Sequence, residues 1–81
     1  MNDNEVEGHI EELVAEEHRL YAAAEHEGGL SAQERERLEQ IRVSLDRYWD
    51  LLRQRRAEEE FGLDPEQTRM RSASTVENYK Q

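Results

Sequence analysis

The 81-residue sequence contains no cysteine, a single proline and four glycines, and aromatic residues make up only 6% of it. The absence of cysteine excludes disulfide bonds and thiolate metal sites. No apolar run is long enough to span a bilayer, and the acidic first residues do not match a secretory signal. We therefore expect a soluble, cytoplasmic protein with no membrane partner.

Charge, by contrast, is abundant and unevenly distributed. Charged residues make up 38% of the chain, and the formal net charge is −9. Residues 1–40 contain twelve acids and three arginines, whereas residues 41–81 contain eight acids and eight bases. The negative total disfavours nonspecific binding to nucleic acid or to an anionic membrane. The uneven distribution favours packing of an acidic first helix beside a more basic second one.

Gly28 and Gly29 separate two long stretches of helical pattern. Gly28 can adopt the left-handed conformation that ends a helix. The run Ser31-Ala32-Gln33-Glu34 is a capping box, which starts the next helix. Because so few residues connect them, the two helices should fold back antiparallel. The sequence thus predicts a helical hairpin over residues 1–63, with helices at about 4–27 and 31–61.

The first helix should begin at Asp3 or Asn4, either of which suits the N-cap position. Alternating spacings of four and three residues define one stripe along this helix. Its members are Val6, Ile10, Leu13, Glu17, Leu20 and Ala24. Two interpretations of Glu17 remain open from the stripe alone. Its carboxylate either reaches water at the edge of the stripe or forms a partly buried pair with an arginine of the second helix.

A similar stripe runs along the second helix and is widened by Trp49. Its members are Leu38, Ile41, Leu45, Tyr48 and Leu52. The helical pattern continues to about Glu60. The following Phe61-Gly62-Leu63 predicts the end of the helix, with Gly62 in the left-handed conformation.

Folding the chain back about the hinge gives a register between the two stripes. In this register Leu13 lies near Leu45, and Val6 lies near Leu52. Glu17 then lies near Arg42, so the sequence predicts an ion pair between these two side chains.

Residues 64–81 are predicted to form a short helix and a C-terminal tail. Asp64 suits an N-cap, and the helix should extend from Pro65 to about Arg71. The run Ser72-Ala73-Ser74-Thr75 is expected to break the pattern. Val76 and Tyr79 are the large apolar residues of the tail, which is either frayed or docked on the bundle through them.

The residues that carry most enzyme chemistry do not form a recognisable arrangement. His9, His18 and His26 are nine and eight residues apart, and none has a glutamate three residues before it, as di-iron bundles require. Exposed or boundary histidines are the simpler interpretation. The sequence supports no catalytic residue, cofactor site or metal site, and a non-enzymatic protein is expected.

A two-helix hairpin covers only one side of each stripe, which favours assembly. Two hairpins placed face to face would form a dimeric four-helix bundle with coiled-coil packing. The expected function is therefore that of a small interaction or structural protein that self-associates and offers an acidic surface. The alternative is a regulator that binds a basic protein surface by mimicking nucleic-acid charge. The candidate interaction residues are Tyr21, Tyr48, Trp49, Val76 and Tyr79.

Three segments together resemble a known family. They are Glu27-Gly28-Gly29-Leu30-Ser31, the run from Tyr48 to Ala57 (YWDLLRQRRA), and Thr75-Val76-Glu77-Asn78-Tyr79. They resemble a family of small, uncharacterised actinobacterial proteins, a domain of unknown function. One departure is Ser72 after Arg71, where a proline would be expected in relatives. The resemblance implies that residues 71–79 belong to the domain, which favours a docked tail, and it implies no activity.

Overall fold

A computed structural model of the chain describes residues 2–62, 64 and 69–79. Within these residues the chain forms three helices and no strand: α1 (Asp3–Glu27), α2 (Ala32–Glu60) and α3 (Ala73–Tyr79). The all-α class with two long helices, which the sequence predicts, is confirmed. None of the described helices is long and apolar enough to cross a bilayer.

Helix α1 begins earlier than the sequence suggests. Its N-cap is Asn2, whose side-chain oxygen accepts a hydrogen bond from the backbone N–H of Glu5 at 2.8 Å. The prediction of Asp3 or Asn4 as the cap is therefore wrong by one or two residues. Asn2 satisfies an N–H group of the first turn, which leaves the Asp3 carboxylate available for a partner on α2.

The hinge between α1 and α2 forms as predicted. Gly28 is left-handed with φ of 82°, and the N–H of Gly29 donates to the carbonyl of Ala24 at 2.8 Å. This six-residue closure satisfies a carbonyl that the end of α1 would otherwise leave unpaired. The capping box is also present. The N–H of Ser31 donates to the Glu34 carboxylate at 2.8 Å, and the N–H of Glu34 donates to the Ser31 hydroxyl at 3.1 Å.

The predicted end of α2 is confirmed as well. The helix ends at Glu60, and Gly62 adopts a φ of 74°. The N–H of Phe61 donates to the carbonyl of Ala57 at 3.2 Å, and the N–H of Gly62 donates to the carbonyl of Glu59 at 3.2 Å. Leu63, the last residue of the predicted stop, lies outside the described residues.

The hydrophobic core lies where the first turns of α1 meet the last turns of α2. Its buried centre is Val6, Ile10 and Leu51. Five half-buried side chains pack against this centre: Val14, Leu45, Tyr48, Leu52 and Met70. Val6 and Leu52 thus share one cluster, in the antiparallel arrangement that the register predicts. Val14 and Leu45 both take part in the cluster, and Leu13, which is predicted to lie near Leu45, is half-buried.

The short third helix differs from its prediction. Of the predicted helix from Pro65 to Arg71, residues 65–68 lie outside the described residues, and residues 69–71 are not helical. The observed helix α3 instead begins at Ala73, inside the run that was expected to break the pattern. The reason is capping, because the Ser72 hydroxyl accepts the N–H of Thr75 at 3.2 Å. The serine-rich run is a helix start and not a break.

Helix α3 packs against α2, which answers the question of a frayed or docked tail for residues 73–78. Val76 is only 2% exposed. Glu77 lies 3.2 Å from Arg42, and Arg47 donates to the carbonyl of Arg71 at 3.1 Å. The tail is therefore fastened to α2 by one buried apolar side chain and by polar contacts on either side of it.

Candidate interaction surface

Two of the predicted interaction residues are half-exposed aromatics. Tyr21 on α1 is 51% exposed, and Trp49 on α2 is 49% exposed. Phe61 is 80% exposed but follows the last residue of α2, at the end of the hairpin. Contiguous apolar patches left in water are a common mark of a protein–protein interface, and aromatic residues are enriched in such interfaces.

Two other predicted interaction residues pack against side chains of the same chain. Tyr48 packs against the core and stacks on His9, with ring centroids 5.4 Å apart and an angle of 12° between the planes. Val76 is buried between α3 and the rest of the chain. The side chain of Tyr79 lies outside the described part of the structure. Of the predicted interaction residues whose side chains are described, Tyr21 and Trp49 are therefore the two that a partner can reach.

Trp49 belongs to a row of side chains on one side of α2. The row has alternating spacings of four and three residues, which places its members on one helix face. Its members are Leu38, Arg42, Leu45, Trp49 and Leu52. The three leucines are half-buried. We refer to this row, together with Glu17 and Tyr21 of α1, as the open face.

The two helices meet on the open face at a shallow groove. The groove has a volume of about 270 Å³, and Glu17 and Tyr21 of α1 line it together with Leu38 and Arg42 of α2. It is open to solvent near the hinge. It combines an apolar wall with charges of both signs, which suits an aromatic or amphipathic side chain better than a small reactive substrate.

Helix α3 lies on a different side of α2. Arg71, which lies two residues before α3 begins, makes two contacts with α2. Its carbonyl accepts a hydrogen bond from Arg47, and its guanidinium lies 3.7 Å from Asp50. In a helix of 3.6 residues per turn, Asp50 is rotated by about 100° from Trp49. Among the residues that the structure describes, Glu77 reaches the edge of the open face, at Arg42. The described part of the tail thus covers one side of α2, while Tyr21 and Trp49 on the open face stay about half-exposed.

Arg42 is held by three carboxylates. Its guanidinium lies 2.6 Å from Glu39, 3.0 Å from Asp46 and 3.2 Å from Glu77. The hydrogen bond to Glu39, and to a smaller extent the one to Glu77, raises the pKa of Arg42. The hydrogen bond from Arg42 lowers the pKa of Glu39. These contacts fix the position of the guanidinium on the open face.

The predicted Glu17–Arg42 pair does not form among the described residues. Glu17 lines the same groove as Arg42, but it is half-buried there without an ion-pair partner in the described chain. Arg42 is instead occupied by acids of its own helix and of α3. The contribution of α3 could not be anticipated, because its position was predicted incorrectly.

Cross-helix ion pairs occur at two other positions. Arg37 binds Glu16 through two hydrogen bonds of 2.5 and 2.6 Å, and Arg55 binds Asp3 at 2.5 Å. The hydrogen bond from Arg37 lowers the pKa of Glu16. Glu16 directly precedes the stripe residue Glu17 and points about 100° away from it, so the rotation of α1 decides which glutamate faces α2. The sequence therefore predicts a glutamate–arginine pair between the two helices, but it assigns the pair to Glu17 where the structure has the adjacent Glu16.

The histidines form no metal site in the described part of the chain. His9, His18 and His26 all have exposed side chains. No group of three or more histidine, cysteine, aspartate or glutamate residues is placed to hold an ion among the described residues.

A family model described as "Protein of unknown function (DUF2630)" matches residues 2–81. The chain belongs to this family. It is 46% identical over 77 residues to an uncharacterised protein of Mycobacterium bovis and, equally, to one of Mycobacterium tuberculosis. The match covers 95% of this chain and 88% of each relative. No solved structure matches the chain significantly. The resemblance to a small actinobacterial family is confirmed.

Proposed function

We propose that the protein is a small, non-enzymatic interaction or structural protein that self-associates through the open face. The observation that carries the proposal is the half-exposure of Tyr21 and Trp49 on a face that α3 leaves uncovered. Aromatic side chains are enriched at the centres of protein interfaces, where they supply much of the binding free energy.

The thin core of the hairpin supports the same proposal. In the described residues only six hydrophobic side chains are buried: Val6, Ile10, Ala24, Ile41, Leu51 and Val76. Leu38, Leu45 and Leu52 keep part of their surface in water. A second hairpin on the open face would remove that surface from water at about 25 cal/mol per Å² of apolar area. Pairing two hairpins in this way gives a four-helix bundle.

Self-association can be measured with the protein's own fluorophore, since Trp49 is its only tryptophan. In sedimentation velocity the dimer should appear as concentration rises through the micromolar range. Over the same range Trp49 emission should shift to shorter wavelength as the indole leaves water. Trp49→Ala should weaken the dimer about 30-fold, the loss typical of an interface hot spot.

Phe61→Ala is the matched control, because Phe61 is more exposed than Trp49 yet lies off the open face. This variant should sediment like the wild-type protein. A wild-type monomer at high micromolar concentration would overturn the proposal. Equal weakening by the two substitutions would show that the open face is not the contact surface.

A second candidate function is the binding of a basic protein surface by α1. The exposed side chains of α1 include seven acids, which are Asp3, Glu5, Glu7, Glu11, Glu12, Glu25 and Glu27, but one arginine, Arg19. Such a surface attracts basic partners over a distance set by ionic strength.

Salt dependence separates the two candidates. The affinity of a basic protein for α1 should fall steeply as the salt concentration rises. It should also be lower for the Glu5→Gln/Glu12→Gln variant than for the wild-type protein. Self-association through the open face should change little in either case. A partner whose binding is insensitive to salt and to these two substitutions would contradict the second candidate.

A further inference from the structure

We infer that the open face pairs with a second copy of itself, with the two α2 helices antiparallel and Leu45 on the two-fold axis. The inference rests on the self-association proposed above and adds its geometry. In this arrangement the indole of Trp49 enters the groove beside Tyr21 of the partner copy.

The spacing of the open face is nearly symmetric about Leu45. Leu38 lies seven residues before it and Leu52 seven residues after it, while Arg42 lies three before and Trp49 four after. An antiparallel pair of α2 helices therefore places Leu38 against the partner's Leu52. A two-fold interface requires this kind of self-complementary pattern.

The same register brings Trp49 to the groove of the partner. It places the indole beside the partner's Arg42, which lines that groove with Tyr21. The N–H groups of Arg42 lie in the guanidinium plane and already bind Glu39, Asp46 and Glu77. The flat side of the guanidinium remains suited to stacking on an indole. A parallel pair would instead set Arg42 against Arg42 and leave both grooves without Trp49.

Charge complementarity adds a second argument for the same partner. Glu17 is half-buried in the groove, and Arg53 is exposed one turn after Trp49. Neither side chain has an ion-pair partner within the described ranges. The Glu16–Arg37 contact places Glu16, and with it Glu17, at about the level of residue 37. The antiparallel pairing places the partner's Arg53 at that same level.

Cysteine crosslinking tests the register, because the chain has no cysteine of its own. Leu45→Cys should form a disulfide-linked dimer under mild oxidation. Leu38→Cys and Leu52→Cys should each stay uncrosslinked alone but crosslink when mixed. Residues 38 and 52 are about 21 Å apart along a helix, too far for a disulfide between two copies of the same variant.

The failure of this inference is distinguishable from the failure of self-association. Self-crosslinking of Leu38→Cys and of Leu52→Cys would show a parallel pair and overturn the register. A sedimenting dimer in which the mixture does not crosslink would also overturn it, while self-association would stand. A wild-type monomer at all concentrations would overturn both. Circular dichroism checks that each variant keeps its helices.

A charge exchange gives an independent test that leaves the leucines in place. Glu17→Arg and Arg53→Glu should each raise the dimer dissociation constant about tenfold, because each sets like charges against each other. The double variant should recover the wild-type constant. Glu12→Arg and Arg19→Glu, which alter net charge equally on exposed positions away from the open face, are the controls. Additive weakening in the double variant would overturn the inference.

Discussion

Arg55 donates its Nε–H to the carboxylate of Asp3 at 2.5 Å, across 52 residues of sequence. The Arg55 side chain is only 4% exposed, whereas that of Asp3 is 50% exposed. The contact joins the first turn of α1 to the end of α2 and closes the hairpin at the end opposite the hinge. A guanidinium so enclosed needs acceptors, since an unpaired buried charge costs several kcal/mol.

Asp3→Asn should therefore lower the free energy of unfolding by about 1.5–3 kcal/mol, the range for hydrogen bonds that involve charged groups. Urea denaturation at neutral pH would measure the loss. Glu5→Gln is the control, because it removes an acid from the same first turn and forfeits a similar interaction with the helix dipole. Equal losses in the two variants would show that the contact with Arg55 contributes nothing beyond the dipole.

The Glu16–Arg37 pair predicts a specific dependence on pH. The Arg37 hydrogen bond lowers the pKa of Glu16 below its usual value of 4.5. A carboxylate whose pKa is lower in the folded state stabilises the protein above the unfolded pKa. That stability is lost as pH falls through the folded pKa. The Tm difference between wild type and Glu16→Gln should be constant above about pH 5 and should close in acid.

Thermal melts at several pH values between neutral and acid would check this prediction. Both proteins gain or lose the same surface charges, so their difference isolates Glu16. Glu12→Gln, which alters an exposed acid on α1, should differ little from wild type throughout. A gap between wild type and Glu16→Gln that persists undiminished in acid would contradict the assignment.

Substitution by alanine is expected to have opposite effects on stability at Gly28 and at Gly8. Gly28 has a φ of 82°, whereas Gly8 lies within α1, and a methyl group at either position meets no atom within 4 Å. Gly28→Ala should destabilise the protein by about 1–2 kcal/mol, because L-residues are strained in the left-handed region. Gly8→Ala should stabilise it by up to about 1 kcal/mol.

Urea unfolding of both glycine variants gives the sign directly. Because neither methyl group meets a neighbour, backbone conformation alone separates the two positions. A stabilising Gly28→Ala substitution would mean that the hinge does not use the left-handed conformation.

The cap of α3 predicts local loosening of the tail. Ser72→Ala removes the acceptor for the Thr75 N–H, so α3 should fray while α1 and α2 stay folded. Hydrogen exchange of residues 73–79 should become faster, with little change in exchange of the hairpin. Ser74→Ala, which leaves this acceptor in place, is the matched control. Faster exchange in both variants alike would argue against capping by Ser72.

Local signals in the sequence correctly predicted the hinge and the end of α2, which depend on neighbours in the chain. Gly28, the Ser31–Glu34 box and Gly62 each act through hydrogen bonds between residues no more than a few positions apart. The same reasoning missed the start of α3 because Ser72 was interpreted as a break. A hydroxyl that caps a helix and one that interrupts a pattern look alike in sequence.

The candidate interaction residues differ in where the structure places them. Tyr21 and Trp49 lie on or beside the two stripes and are both half-exposed, and their role in an interface stays a prediction. Tyr48 was assigned to the same surface but stacks on His9 within the monomer. Adjacent positions on a helix differ in direction by about 100°, so the rotation of α2 decides which aromatic faces the core.

The sequence by itself determined two long helices, the hinge that reverses the chain and the end of α2, because caps and left-handed glycines act locally. Only the tertiary structure decided that Arg37 pairs with Glu16 and that Arg42 pairs with Glu77 of α3. It also decided that Glu17 lines the groove without an ion-pair partner among the described residues. Those outcomes depend on helix rotation and on where a third element lies. Both are set by packing between distant parts of the chain.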